Sequence, residues 1–160
     1  MDRNYLSAEL AEALGLEQGI VDAEHKLIND GKLEFGMKRQ LQDIHDEDEQ
    51  HVRSLEKALD LIGRTDETAS RIERGRRICE NIVKMAGDDP LDLLRATILA
   101  KYKSSDSAEM FYDLCDEIGE GEVCDIFEEA LEDDEDHLDY LREQAMLMAR
   151  ERITGVSAVE

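Results

Sequence analysis

The chain has 160 residues and a net charge of −22, from 41 acidic against 19 basic side chains. Such a surface repels nucleic acid and acidic lipid and attracts cations. One proline, 4% aromatic residues and abundant Glu, Leu, Ala and Arg favour an all-α protein. No apolar run is long enough to span a membrane, and no signal-peptide pattern opens the sequence. The expectation is a soluble, cytoplasmic chain with one domain over residues 1–154 and a frayed tail over 155–160. The acidity reads as a solvated face, as adaptation to high salt, or as a funnel for metal ions.

The elements follow in order. A first helix is expected over residues 6–28, stopping near Asn29-Asp30-Gly31. A second runs over 33–62 and ends at Gly63. A shorter amphipathic helix over 67–86 carries Ile72, Cys79, Ile82, Val83 and Ala86 on one face. Gly87-Asp88-Asp89-Pro90 is the clearest break. Long helices over 91–118 and 123–152 complete the chain. Four of these helices can span a bundle at about 1.5 Å per residue. Short turns make two antiparallel hairpins, and the long link between them holds the extra helix.

Placing residues every 100° shows which side chains face the core. The second helix has an apolar stripe of Met37, Leu41, Ile44, Leu55, Ala58 and Ile62, with Asp48 and His51 in its middle. The last helix has Val123, Phe127, Ala130, Leu141, Ala145 and Met148, with Asp134 and His137 in the middle. Each pair is Asp-x-x-His, three residues apart and so on one face. On the first helix Glu17 and Glu24 lie near the centre of the apolar arc. Asp22, His25 and Lys26 point away from it. The helix over 91–118 turns Leu94, Ile98, Ser105, Ala108 and Tyr112 inward around a central Lys101, with Glu109 at the edge of the arc. His45 and His25 fall off the stripes and are expected in solvent.

The inward polar set is therefore Glu17, Glu24, Asp48, His51, Lys101, Asp134 and His137. With neutral histidines it is strongly anionic, and uncompensated charge in a core costs several kcal/mol per ion. Metal, carboxyl protons or water must offset it. Mixed carboxylate and imidazole donors suit iron, manganese or zinc better than calcium or magnesium. The cysteines Cys79, Cys115 and Cys124 contain no Cys-x-x-Cys, which excludes rubredoxin-type and zinc-ribbon sites. Cys115 and Cys124 are equidistant from a turn at 119–121, where a disulfide is geometrically open. Small buried thiols are the expectation in a reducing cytosol.

The last helix, ALEDDEDHLDYLREQ, and the stretch AEMFYDLCDEIGEGEVCDIFEEALEDDEDH leading into it resemble bacterioferritins and rubrerythrin-type proteins of the ferritin-like superfamily. The resemblance covers residues 5–150 in layout, with motif support on the second and last bundle helices. It implies a ferritin-like four-helix bundle of two antiparallel hairpins joined by a long crossover containing an extra helix. Family members carry Glu-x-x-His on these two helices and a lone bridging Glu on each of the others. By that resemblance Asp48 and His51 bind one metal, Asp134 and His137 a second, and Glu17 is the lone carboxylate, with Glu24 one register further on. Asp replaces the usual Glu here, and Lys101 stands near the position of the other bridging Glu.

Two functions are carried forward. The first is a non-haem metal protein with one or two iron ions in the bundle core, of ferroxidase or peroxidase type toward dioxygen or peroxide. Tyr102 and Tyr112 then lie near the site as electron donors, with core packing the expected role of Tyr112. A separate protein supplies electrons, and the chain is a homo-oligomer, at least a dimer, with no nucleic-acid or membrane partner. The alternative is a metal-free or single-metal scaffold with a polar core network around Lys101. An acidic mimic of nucleic acid, motivated by charge alone, is a third idea.

Overall fold

The computed structural model describes residues 2–30 and 32–156, all helix and connecting turns. The helices are α1 (Arg3–Asn29), α2 (Phe35–Ile62), α3 (Thr68–Lys84), α4 (Pro90–Asp113), α5 (Cys115–Ile118) and α6 (Gly121–Thr154). Their starts follow from local chemistry. The Asp2 carboxylate accepts from the Asn4 and Tyr5 amides at the head of α1. Asp89 accepts from the Asp92 amide at the head of α4, where Pro90 fits the first turn without wasting a donor.

Four helices close a ring in which α1 touches α2 and α4, and α6 touches the same two. Contacts between opposite ends set the directions. Arg3 reaches the carbonyl of Ile62, Arg152 pairs with Asp89, and Lys57 pairs with Glu122. Each neighbouring pair in the ring is therefore antiparallel. The chain leaves α2 at one end and enters α4 at the other, so the link must climb the full bundle. α3 makes that climb, running alongside α1 in the same direction, as the pairs Arg71–Glu12 and Arg76–Asp22 show. The approach is close because Gly15 and Gly75 face each other's helices. A Cβ on Gly15 would clash with the Ile72 carbonyl, and one on Gly75 with that of Glu12. No helix among the described residues is long and apolar enough to cross a membrane.

The core divides along the bundle axis. One end is filled by Leu10, Leu14, Leu59, Phe111 and Phe127, with the two phenyl rings stacked at 4.9 Å. The other is filled by Leu27, Leu41, Leu93, Leu94 and Leu141. Between these apolar plugs lies a layer of buried charge.

Several expectations need correction. The helix expected over 91–118 breaks at Leu114, and the single turn of α5 lays Ile118 into the core. Phe111 takes the inward position expected for Tyr112, which is 40% exposed with its hydroxyl toward Glu128. A buried tyrosine there would need a partner for its hydroxyl, whereas phenylalanine needs none. Tyr102 also lies on the outer face, so neither tyrosine reaches the core. Cys115 and Cys124 form a disulfide rather than remaining buried thiols. Gly119, at φ 68°, turns α5 back onto the start of α6 and brings their Cα atoms to 5.6 Å, within bridging range. Cys79 is a buried free thiol, as expected. Within the expected tail, Gly155 caps α6, and residues 157–160 lie outside the described part of the chain.

Candidate metal centre

The buried layer contains Glu17 and Glu24 from α1, Asp48 and His51 from α2, Lys101 from α4, and Asp134 and His137 from α6. These seven are the inward polar set read from helical spacing. Glu109 is not among them: it lies exposed on the outer face of α4. His45 also departs from expectation. It is buried, because α1 covers that flank of α2 and brings His25 within 6.0 Å, ring to ring. His25 itself is exposed as expected.

Asp48 is the centre of the layer. Its Oδ2 accepts from the Lys101 ammonium at 2.5 Å. The same ammonium lies 3.3 Å from Asp134 and 3.8 Å from Glu24. The other oxygen, Oδ1, faces Nδ1 of His51 at 3.3 Å and Nδ1 of His137 at 3.4 Å. The two imidazoles are stacked, with centroids 6.3 Å apart. Glu17 completes the ring: its Oε1 lies 3.8 Å from His51 Nδ1, while Oε2 accepts from the Ser104 hydroxyl at 2.6 Å.

The outward nitrogens reveal a symmetry between the helices. His51 Nε2 meets Asp133 at 2.9 Å, and His137 Nε2 meets Glu47 at 2.5 Å. Glu47 and Asp133 each immediately precede the aspartate of a pair, and each holds the histidine of the other. The repeated unit is therefore acid-Asp-x-x-His, twice, with crossed support. Helical spacing alone does not single out these two carboxylates, because they lie off the apolar stripe of their own helices. Their shared offset was the available signal.

Electrostatics follow from burial and proximity. For Asp48, burial favours protonation, but Lys101 and then the two imidazoles overcome it and hold the carboxyl well below the usual range. Burial opposes the charge on Lys101, yet Asp48, Glu24 and Asp134 outweigh it and keep the ammonium. The His51 imidazole also loses solvation, but the adjacent carboxylates of Asp48 and Glu17 push it up to about 11. His137 moves upward too, for burial is outweighed by Asp48 and Glu47 despite Lys101. Burial and the neighbouring carboxylates raise Glu24 well above the ordinary value, and burial lifts Asp134 to about 6 against the pull of Lys101. Without metal, protons hold this cluster together.

Some atoms remain unserved. Glu17 Oε1, Asp48 Oδ1 and His137 Nδ1 are buried and lack a hydrogen-bond partner. Such orphans are rare in folded interiors. Two three-residue donor sets close enough to hold an ion meet here: Glu17, Asp48 and His51, and Asp48, Asp134 and His137. They overlap at Asp48. A cavity of about 20 Å³, room for roughly one water, adjoins Glu17, His51 and Asp134 and is otherwise walled mainly by apolar side chains such as Leu55 and Phe127. The chain matches no protein-family model, and no curated protein or solved structure matches it.

Proposed function

We propose that the chain is a ferritin-like metalloprotein holding one divalent transition-metal ion between His51 and His137, with the Lys101 ammonium standing where a second cation would sit. Two antiparallel hairpins joined by a full-length crossover support the ferritin-like reading of the bundle. The observation that carries the metal reading is the set of buried atoms without a hydrogen-bond partner, Glu17 Oε1, Asp48 Oδ1 and His137 Nδ1, in two donor sets that share Asp48. Each imidazole points Nδ1 at Asp48 Oδ1 and gives Nε2 to a carboxylate, the arrangement that orients metal-binding histidines.

One ion rather than two follows from Asp48. Its Oδ2 belongs to Lys101, so only Oδ1 is left, and Asp48 is the residue that both donor sets share. Charge agrees. Glu17, Asp48 and Asp134 ionised, Lys101 charged, Glu24 protonated and the histidines neutral leave −2, which one divalent ion cancels. Donors of nitrogen and oxygen suit iron, manganese or zinc. Bound iron or manganese supplies one-electron redox chemistry toward dioxygen or peroxide. The chain's own contribution is positional: Ser104 holds Glu17, Lys101 fixes Asp48, and the apolar plugs exclude bulk water.

Elemental analysis after loading with ferrous iron, manganese or zinc and desalting tests this. One equivalent per chain, lost in His51→Ala and in His137→Ala, is the expected result. No retained metal, with the melting temperature unmoved by added ion, overturns it. That result favours the second reading, a metal-free scaffold, which the three carboxylates already gathered on Lys101 support.

A further inference from the structure

The outer faces of the bundle differ in kind. α2 presents Asp43, Glu49, Arg53, Glu56 and Asp60 to solvent, and α1 is covered by α3. The face built on α4 is unlike either. Met85, Leu99, Tyr102, Met110, Tyr112 and Met146 are all exposed on it or along its edges. Two grooves lie on it, one against α3 and α6 and one further along α4, and both are lined by Tyr102. Isolated exposed apolar residues are ordinary, but a contiguous patch marks a contact surface.

The charges on this face are sorted by position. Arg95, Leu99, Tyr102, Asp106, Glu109 and Asp113 recur at helical spacing and form one outward stripe on α4. Arg95 is at one end of the stripe and the acids are at the other. α6 repeats the order: Arg142 lines the groove at the Arg95 end, and Glu135 lines it at the Glu109 end. Neither arginine enters an ion pair of the chain among the described residues. Arg95 precedes Tyr102 by the same seven positions by which Glu109 follows it. A face with that symmetry is complementary to itself under a two-fold rotation, the defining property of an isologous interface.

We propose that a second copy of this chain docks on the α4 face, with the two-fold axis beside Tyr102 and perpendicular to α4. Leu99, Tyr102 and Met146 of the two copies form its apolar centre. Arg95 of each copy meets Glu109 of the other, and Arg142 meets Glu135. This assembly does not depend on metal. The overall charge of −22 per chain opposes it at long range, so added salt strengthens it by screening.

Sedimentation of the full chain across salt concentrations, with four variants, tests the proposal. The expected result is twice the chain mass at physiological and higher salt. Leu99→Glu, Arg95→Glu and Glu109→Arg each weaken association by at least about tenfold, and the double variant Arg95→Glu with Glu109→Arg recovers to within about threefold. All three positions are exposed, so helicity by circular dichroism stays at the wild-type level in all four variants. A monomer throughout overturns the proposal. So does an oligomer indifferent to Leu99→Glu, or a double variant that fails to recover.

Discussion

Lys101→Met removes the buried ammonium while keeping a side chain of similar length. In the native protein the ammonium is fully buried, 2.5 Å from Asp48 and 3.3 Å from Asp134. Taking one partner from a buried pair costs about 3–5 kcal/mol, because the remaining charge is stranded in low dielectric. Protonating Asp48 instead caps the loss. From an ordinary value of 3.8, holding that proton at pH 7.5 costs about 5 kcal/mol, so near neutrality protonation gives no escape. At pH 5 the same proton costs only about 1.6 kcal/mol, and the loss shrinks to about 2 kcal/mol. With a chelator present, we expect the variant to be roughly 4 kcal/mol less stable at pH 7.5, about 8–16 °C in melting temperature for a chain this long. Urea unfolding at both pH values reads the difference directly. Adding manganese should raise the melting temperature of the variant more than that of wild type, since the ion gains a freed carboxylate oxygen. A variant within about 1 kcal/mol of wild type at pH 7.5, or one equally weakened at pH 5, refutes the idea that Lys101 neutralises the core.

Four further outcomes follow. Glu47→Ala and Asp133→Ala should each lower metal affinity by about 10–100-fold in competition with a chromophoric chelator, since each orients a histidine without touching the ion; unchanged affinity contradicts the crossed support. The folded value of Asp134 is raised from 3.8 to about 6, so the folded state binds the extra proton and its stabilisation is full below about pH 4 and lost as pH rises through 6. That is about 3 kcal/mol in metal-free protein, and Asp134→Asn should flatten this limb of the stability profile measured by urea melts. Reducing Cys115–Cys124, which spans nine positions, should cost about 3 kcal/mol by loop entropy, and a Cys115→Ser/Cys124→Ser chain should melt at one temperature with or without reductant. Gly75→Ala forces a Cβ into the Glu12 carbonyl and should cost at least about 1–3 kcal/mol, whereas Gly36→Ala, in open space, should cost nothing by the same thermal melt.

The long helices and their buried stripes were legible because the helical period repeats over many turns. Asp48, His51, Asp134 and His137 each had apolar neighbours above and below, so their inward direction was overdetermined. Lys101 was legible for the same reason. What failed was what one helix cannot report about another. His45 is buried by α1, and no angle measured on α2 alone contains that helix. Glu47 and Asp133 point across the α2–α6 seam, so their role appears only when the two helices are paired. A 100° step does not separate Phe111 from Tyr112 about six turns into α4, and the cost of burying a hydroxyl decides between them. The disulfide depended on the left-handed turn at Gly119, which sets the approach of α5 to α6. Ser104, one residue from the Ser105 expected to face inward, shows the same drift of register.

In the proposed centre one ion shares the core with a lysine. Anomalous diffraction from crystals soaked in manganese or zinc locates such ions without reference to activity. A single peak is expected between the rings of His51 and His137, in contact with Asp48 Oδ1, while Lys101 keeps its bond to Oδ2. Two peaks with Lys101 displaced, or no peak in the bundle core, would contradict it.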